Sequence, residues 1–168
     1  MIIRVIRPAI ILIILLLLQI LVLNNIQFSG YVNPYAYLLF ILLLPVEMPS
    51  WILLLLSFGT GLLIDVFTSS PGMHSAATTL AGFVRPYVLK VISPRDGYEP
   101  GASPSMAAYG FSWFLLYSVV IVAIHHLALF YLEVFRLADF FTTLFRVILS
   151  TVFSTTFILL FEFIRRGK

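Results

Sequence analysis

Residues 8–46 read PAIILIILLLLQILVLNNIQFSGYVNPYAYLLFILLLPV and contain no charged side chain. An α-helix that crosses a bilayer needs about 20 mostly apolar residues, because lipid offers the backbone no hydrogen-bond partner. This stretch is long enough for two crossings, and its polar centre from Asn24 to Pro34 is rich in turn-forming residues. The sequence therefore predicts a first helix over about 6–23 and a second, short helix over about 35–46.

Apolar segments of similar length continue through the rest of the chain. A third helix is predicted over about 50–67, a fourth over 73–92, a fifth over 106–132 and a sixth over 140–164. The fourth contains Arg85-Pro86, and a proline at that position is expected to kink or break the helix. The sequence thus predicts one all-α domain over 1–168, a polytopic integral membrane protein with six transmembrane helices.

The composition excludes several classes of protein. Of the 168 residues 61% are hydrophobic and 10% are charged, whereas a soluble domain carries about 25% charged residues. A disordered chain would have little apolar surface, and this chain has an excess. The sequence has no cysteine, which excludes disulfides and thiolate metal sites. The net charge of +3 is too small to predict nucleic-acid binding.

Lysine and arginine positions predict the orientation, because basic residues concentrate in cytoplasmic loops. Arg4 and Arg7 precede the first predicted helix, while Arg165, Arg166 and Lys168 follow the last. Both termini are therefore expected in the cytoplasm, which requires an even number of crossings and favours six over five. No small-x-small cleavage site follows the first apolar run, so we interpret it as a retained helix.

Ionisable residues inside predicted membrane helices are costly and are usually paired or functional. Five of them are predicted to share one level near the outer leaflet, namely Asp65, His74, His125, His126 and Arg146. An Asp65–Arg146 or Asp65–His74 pair would clasp helices together, and a ligand pocket or a metal or proton relay remain alternatives. Three histidines and one aspartate are zinc ligands in principle, although His125 and His126 are expected on different helix faces.

Other polar positions are assigned structural roles, with alternatives for some of them. Arg85 is expected to bind carbonyls freed at Pro86 or to bind a partner, and Glu162 to pair with Arg165 or Arg166 at a solvated helix end. The hydroxyl residues of the sixth helix predict close helix packing, within the chain or with a partner. The aromatic residues expected as interfacial anchors are Trp51, Trp113, Tyr31, Tyr35 and Tyr131.

Searches for catalytic motifs give no match. The sequence contains no phosphate-binding glycine loop with lysine, no His-Glu-x-x-His and no Gly-x-Ser-x-Gly. No acidic pair has a spacing that suggests general acid–base chemistry. We therefore predict a protein that is not an enzyme and that needs no cofactor.

Two stretches of sequence resemble a known family. The first is Asn33-Pro34-Tyr35 with the apolar run to Pro45; the second runs from Gly61 through Asp65 and Pro71-Gly72-Met73-His74 to Arg85-Pro86. Together they resemble the rod shape-determining protein MreD family, most clearly over residues 33–90. The residues that match the family signature are Asp65, Pro71, Gly72, His74, Arg85 and Pro86.

The resemblance implies a non-enzymatic inner-membrane component of the bacterial cell-elongation machinery. Such proteins associate with MreC, and through it with the MreB filament and the peptidoglycan synthase and transpeptidase pair. It also implies a fold similar to that of the substrate-binding subunits of energy-coupling-factor transporters. The leading hypothesis is a scaffold in the membrane lipid that binds MreC, with self-association left open. The alternative is a small-molecule-binding subunit of a membrane transporter, which rests on fold analogy.

Overall fold

The computed structural model describes residues 2–25, 32–70, 72–135 and 139–166, and the regular elements within these ranges are all helices. The all-helical fold class is therefore confirmed. The long helices are α1 (Ile2–Leu21), α3 (Ser50–Thr68), α4 (Met73–Val91), α6 (Phe111–Val134) and α7 (Phe140–Arg166). Two short helices, α2 (Leu38–Leu43) and α5 (Met106–Tyr109), and a 3₁₀ turn at Leu23–Asn25 complete the described elements.

Four of the described helices are long and apolar enough to cross a membrane, namely α1 with the following turn, α3, α6 and α7. Helix α4 is as long as α3, at 19 residues, but it is less apolar and carries Arg85 and Lys90. These helices indicate a membrane protein. Six crossings are not confirmed, since four helices among the described residues meet both criteria.

The distribution of polar side chains is typical of a protein in lipid. Buried polar side chains include Gln19, Arg85 and Glu162, each with no exposed surface. The outer surface is instead apolar, as shown by Leu55, which is 62% exposed. Water would solvate the polar side chains and exclude the apolar ones. Polar side chains inside and apolar side chains outside therefore suit a hydrocarbon environment.

Helices α3, α4, α6 and α7 pack consecutively, each mainly against its neighbour in the chain. The bundle therefore has two ends. We call one the Asp65 end; there α3 and α6 finish and α4 and α7 begin. We call the other the Arg165 end; there α7 finishes, and Pro8 near the start of α1 lies beside Arg165.

The closest helix contact joins α3 to α4. A Cβ atom added to Gly61 would lie 2.5 Å from the His74 carbonyl oxygen and 2.6 Å from Ser75 Cα. Glycine is required there because a side chain would separate the two backbones. This contact holds the end of α3 against the start of α4, where Asp65 is located.

Three predictions about helices need correction. The second predicted helix, 35–46, is only the six-residue α2, because the backbone N–H groups before it bind side chains from other helices. The fifth is divided at Gly110, whose φ of 85° ends α5. Of the kink or break expected at Pro86, the break does not occur, since α4 continues through Pro86 to Val91.

The predicted interfacial anchors have different environments. Trp51 is 66% exposed, as expected of an anchor, whereas Tyr35 is 8% exposed and belongs to the core. Tyr31 lies outside the described residues. Tyr35 is buried because the segment that carries it contacts α1, α6 and α7.

Candidate functional site

The carboxylate of Asp65 fastens α3 to the first turn of α4. Its Oδ1 accepts the backbone N–H of His74 at 2.9 Å, and its Oδ2 accepts the N–H of Ser75 at 2.9 Å and the Ser75 hydroxyl at 2.5 Å. The N-cap of α4 is Gly72, which has no side chain to bind these N–H groups. Asp65 therefore supplies the cap from a neighbouring helix, with its negative charge at the positive end of α4.

A second cluster joins Tyr37, which precedes α2, to two histidines. The Tyr37 hydroxyl lies 2.8 Å from His125 Nε2, 3.1 Å from His74 Nδ1 and 3.3 Å from Thr78 Oγ1. The ring of Tyr35 packs edge-on against His74, with ring centroids 5.0 Å apart. The histidines therefore bind a tyrosine hydroxyl. Among the described residues no group of three His, Asp or Glu side chains is placed to hold a metal ion.

A third cluster lies where α6 and α7 meet at the Asp65 end. Arg146 Nη1 donates to Glu133 Oε2 at 2.7 Å, and its guanidinium carbon lies 4.1 Å from the centroid of the Phe130 ring. With the Asn33 amide oriented to satisfy both of its partners, Asn33 Oδ1 accepts from Arg146 Nη2 at 2.6 Å. Arg146 Nε is buried and has no hydrogen-bond partner in the described structure.

These clusters surround an open cavity of about 350 Å³ at the Asp65 end. Its polar lining includes Asn24, Asn33, Ser70, His74, Glu133 and Arg146. The cavity offers a guanidinium, a carboxylate, amides and a hydroxyl within one concave surface. Such a lining recognises a polar segment or molecule that carries both donors and acceptors.

Asn33, Pro34 and Tyr35 are not helical and line this cavity. Side chains from α1, α6 and α7 bind the backbone of this segment. Ser150 Oγ accepts the Asn33 N–H at 3.0 Å, and Ser154 Oγ accepts the Tyr35 N–H at 2.8 Å. Gln19 accepts the Ala36 N–H at 2.9 Å and donates to the Pro34 carbonyl at 3.0 Å. Non-helical backbone is stable at this depth only when its polar groups are bound within the protein.

Arg85 binds backbone carbonyl groups at the other end of α2. Its guanidinium donates to the carbonyls of Leu44, Pro45 (3.4 Å) and Leu42 (3.5 Å), and its Nε donates to the Tyr117 hydroxyl at 2.7 Å. Arg85 is fully buried, and neither ion pair in the described residues includes it. The carbonyls left free by the end of a helix therefore stabilise its charge.

The partners of Asp65 and Arg85 differ in part from those predicted from the sequence. The Asp65–Arg146 pair is wrong, because Arg146 pairs with Glu133 while Asp65 binds α4. Asp65 does contact His74, but through the backbone N–H and not through the ring. Arg85 does bind carbonyls, although they belong to α2 and the residues after it and not to the turn at Pro86.

The structure gives the positions of two further signature residues, and for Glu162 it confirms one prediction and corrects another. Gly72 is the N-cap of α4, with a φ of 82°, Pro86 is exposed, and Pro71 lies outside the described residues. Glu162 pairs with Arg165 at 2.6 Å as predicted. Its predicted solvation is wrong, since its carboxylate is buried and accepts the Met106 N–H at 3.2 Å.

Sequence reasoning missed the roles of three residues. Tyr37 and Tyr117 were not distinguished from the other aromatic residues of the chain, and their roles depend on contacts between distant segments. The role of Gln19 could have been predicted, since it is the one polar side chain in the apolar run from Pro8 to Leu23. A lone amide in such a run indicates a buried hydrogen-bond partner.

No family model, no curated protein sequence and no solved structure matches this chain.

Proposed function

We propose that this chain is a non-enzymatic membrane scaffold of the bacterial cell-elongation machinery that binds MreC. The observation that carries the proposal is the open polar cavity at the Asp65 end, in a bundle whose outer surface otherwise suits lipid. Its mouth carries the Glu133–Arg146 pair, which offers a partner segment both a negative and a positive group. The family signature residues Asp65, Gly72 and His74 lie next to it.

The hydrogen-bonding of the ionisable groups favours a structural role over catalysis. Asp65 caps α4, Arg85 binds the carbonyls after α2, and His125 binds Tyr37. Each of these groups already has the partner that fixes its position. A general acid or base would need its proton-transfer atom directed at a substrate.

The location and topology belong to the same proposal. We place the chain in the bacterial inner membrane with six crossings, counting the segment 32–46 and α4 with the four apolar helices. The fold is proposed to be similar to that of substrate-binding subunits of energy-coupling-factor transporters. The first turns of α1 and the last turn of α7, which are basic, lie at the Arg165 end, and this supports cytoplasmic termini.

The test is affinity purification of the full chain from native membranes, followed by detection of MreC. The paired variant Glu133→Gln/Arg146→Gln keeps the net charge and removes both charges at the cavity mouth. We expect it to recover at least tenfold less MreC, while Asp139→Asn, a charge change on an exposed residue at the same end, recovers the wild-type amount. Recovery of no MreC by the wild-type chain, together with normal cell shape after depletion, would contradict the proposal.

The second candidate is a small-molecule-binding transporter subunit, and the size of the same cavity favours it. A volume of about 350 Å³ lies within the range of small-ligand sites. Saturable binding of a vitamin-sized molecule by the purified chain, or co-purification with ATPase subunits, would select this candidate.

A further inference from the structure

A second cavity, of about 210 Å³, lies at the opposite end of the bundle between α1, α2 and α7. Its walls are apolar and include Pro8 and Ile11 of α1 and Phe40 and Leu43 of α2. Its mouth is polar and includes Ser103 and Arg165. The cavity therefore has the two-part character of a lipid, with apolar walls and a polar opening.

The arginine at this mouth is held in place. Arg165 Nε donates to Glu162 Oε2 at 2.7 Å and Nη2 donates to Glu162 Oε1 at 2.6 Å, a bidentate pair. Glu162 is itself fixed, because it is buried and accepts the backbone N–H of Met106. Arg165 remains 31% exposed, and no hydrogen bond in the described residues uses its Nη1. Because Arg165 lines the cavity, a guanidinium held in one position is available there to an anion.

The charge of this end of the bundle suits an anion. Among the described residues, seven basic and four acidic ones lie at the Arg165 end, so its net charge is +3, whereas one basic and three acidic ones give the Asp65 end −2. The seven basic residues are Arg4, Arg7, Arg85, Lys90, Arg95, Arg165 and Arg166, and the four acidic ones are Glu47, Asp96, Glu99 and Glu162. Basic pockets between transmembrane helices bind anionic lipid headgroups.

We propose that this cavity binds one anionic phospholipid. The phosphate lies against the Arg165 guanidinium and the Ser103 hydroxyl, and the upper part of one acyl chain enters between Ile11 and Leu43. The rest of the chain follows the exposed apolar face of α1, where Ile14 is 45% and Leu17 is 52% exposed. The proposal is independent of the scaffold function, because it concerns the other end of the bundle.

The test measures binding of phosphatidylglycerol and of phosphatidylcholine with the same acyl chains to the purified full chain in neutral detergent. We expect phosphatidylglycerol to bind about fivefold more tightly, which corresponds to one basic residue near an anionic headgroup. Inorganic phosphate alone is expected not to compete at millimolar concentration. Equal binding of the two lipids, or competition by phosphate alone, would overturn the proposal.

Two variants separate a specific site from general charge attraction. Glu162→Gln/Arg165→Gln leaves the net charge unchanged and removes the fixed guanidinium, so we expect it to abolish the preference for phosphatidylglycerol. Lys90→Gln lowers the net charge at the same end without touching the cavity, and we expect it to keep the preference. The opposite pattern would show attraction by net charge and overturn the site.

A third variant keeps the proposal testable if the paired variant does not fold. Ile11→Phe enlarges a half-buried wall residue, without changing charge, and narrows the cavity. We expect it to weaken phosphatidylglycerol binding at least threefold while thermal unfolding in lipid-free detergent is unchanged. Wild-type binding by Ile11→Phe would show that the acyl chain does not enter here, and would overturn the proposal.

Discussion

Replacing Gly61 by alanine tests the contact on which the Asp65 end depends. The added Cβ would lie 2.5 Å from the His74 carbonyl oxygen, and this neighbour is backbone, which cannot rotate away. Overpacking of this kind destabilises by about 1–3 kcal/mol, and we take the upper value because three backbone atoms lie within 2.7 Å of the added Cβ. Separation of α3 from α4 also weakens the hydrogen bonds of Asp65, and we take the total loss as that of one such bond, about 1.5 kcal/mol.

Alanine favours a helix over glycine by about 1 kcal/mol, which offsets part of this loss. The expected net destabilisation for Gly61→Ala is therefore about 3.5 kcal/mol. The matched control is Gly59→Ala, two residues earlier in the same helix, where an added Cβ meets nothing within 4 Å. It should be neutral or stabilising by up to about 1 kcal/mol.

The assay is reversible unfolding of the full chain in mixed micelles, followed by helix content as the fraction of denaturing detergent increases. The quantity compared is the free energy of unfolding of the two alanine variants. If Gly61→Ala and Gly59→Ala differ by less than about 1 kcal/mol, the close approach of α3 and α4 does not exist. The cap that Asp65 provides to α4 would then need another explanation.

Three further substitutions are measured by the same unfolding titration, with Thr156→Ala, an exposed hydroxyl on α7, as a control expected within about 0.5 kcal/mol of wild type. Asp65→Asn places an amide NH₂ against groups that donate to the carboxylate, and should lower the free energy of unfolding by about 2 kcal/mol or more. A wild-type free energy of unfolding would mean that Asp65 does not cap α4. Arg85→Met leaves the Leu44 and Pro45 carbonyls without their donor and should destabilise by about 3 kcal/mol, whereas a loss below about 1 kcal/mol would show that water or other groups replace it. Ser154→Ala removes the acceptor of the Tyr35 N–H and should lower stability by about 2 kcal/mol, an expectation refuted if it behaves as Thr156→Ala does.

The long helices could be predicted from the sequence because lipid requires local hydrogen bonding and an apolar surface. The third predicted helix, 50–67, agrees with α3 within one residue, and the fourth, 73–92, agrees equally well with α4. Both depend on features within one window of sequence. Residues 32–46 could not be predicted in this way, since the hydroxyl that binds the Tyr35 N–H is 119 positions away in the chain.

The residues of the candidate site could be predicted from the sequence, but the partner that each of them binds could not. The helical rise predicts one level for five of these residues, namely Asp65, His74, His125, His126 and Arg146. The partner of Arg146 could not be identified, because the fifth predicted helix ends at residue 132, before Glu133, whereas α6 extends to Val134. Likewise, Asp65 binds backbone N–H groups, whose positions depend on how α4 begins and not on any side-chain pattern.

The way residues 32–46 are held has a consequence for how the protein is made. Helix α2 has six residues, too few to enter a bilayer as an independent helix. The groups that bind its flanking backbone come from α1, α4, α6 and α7, so they are present only after the last helix has been synthesised and inserted. The segment therefore reaches its final position late. A ribosome-bound chain that lacks α7 should leave Tyr35, which is buried in the finished protein, open to labelling from water.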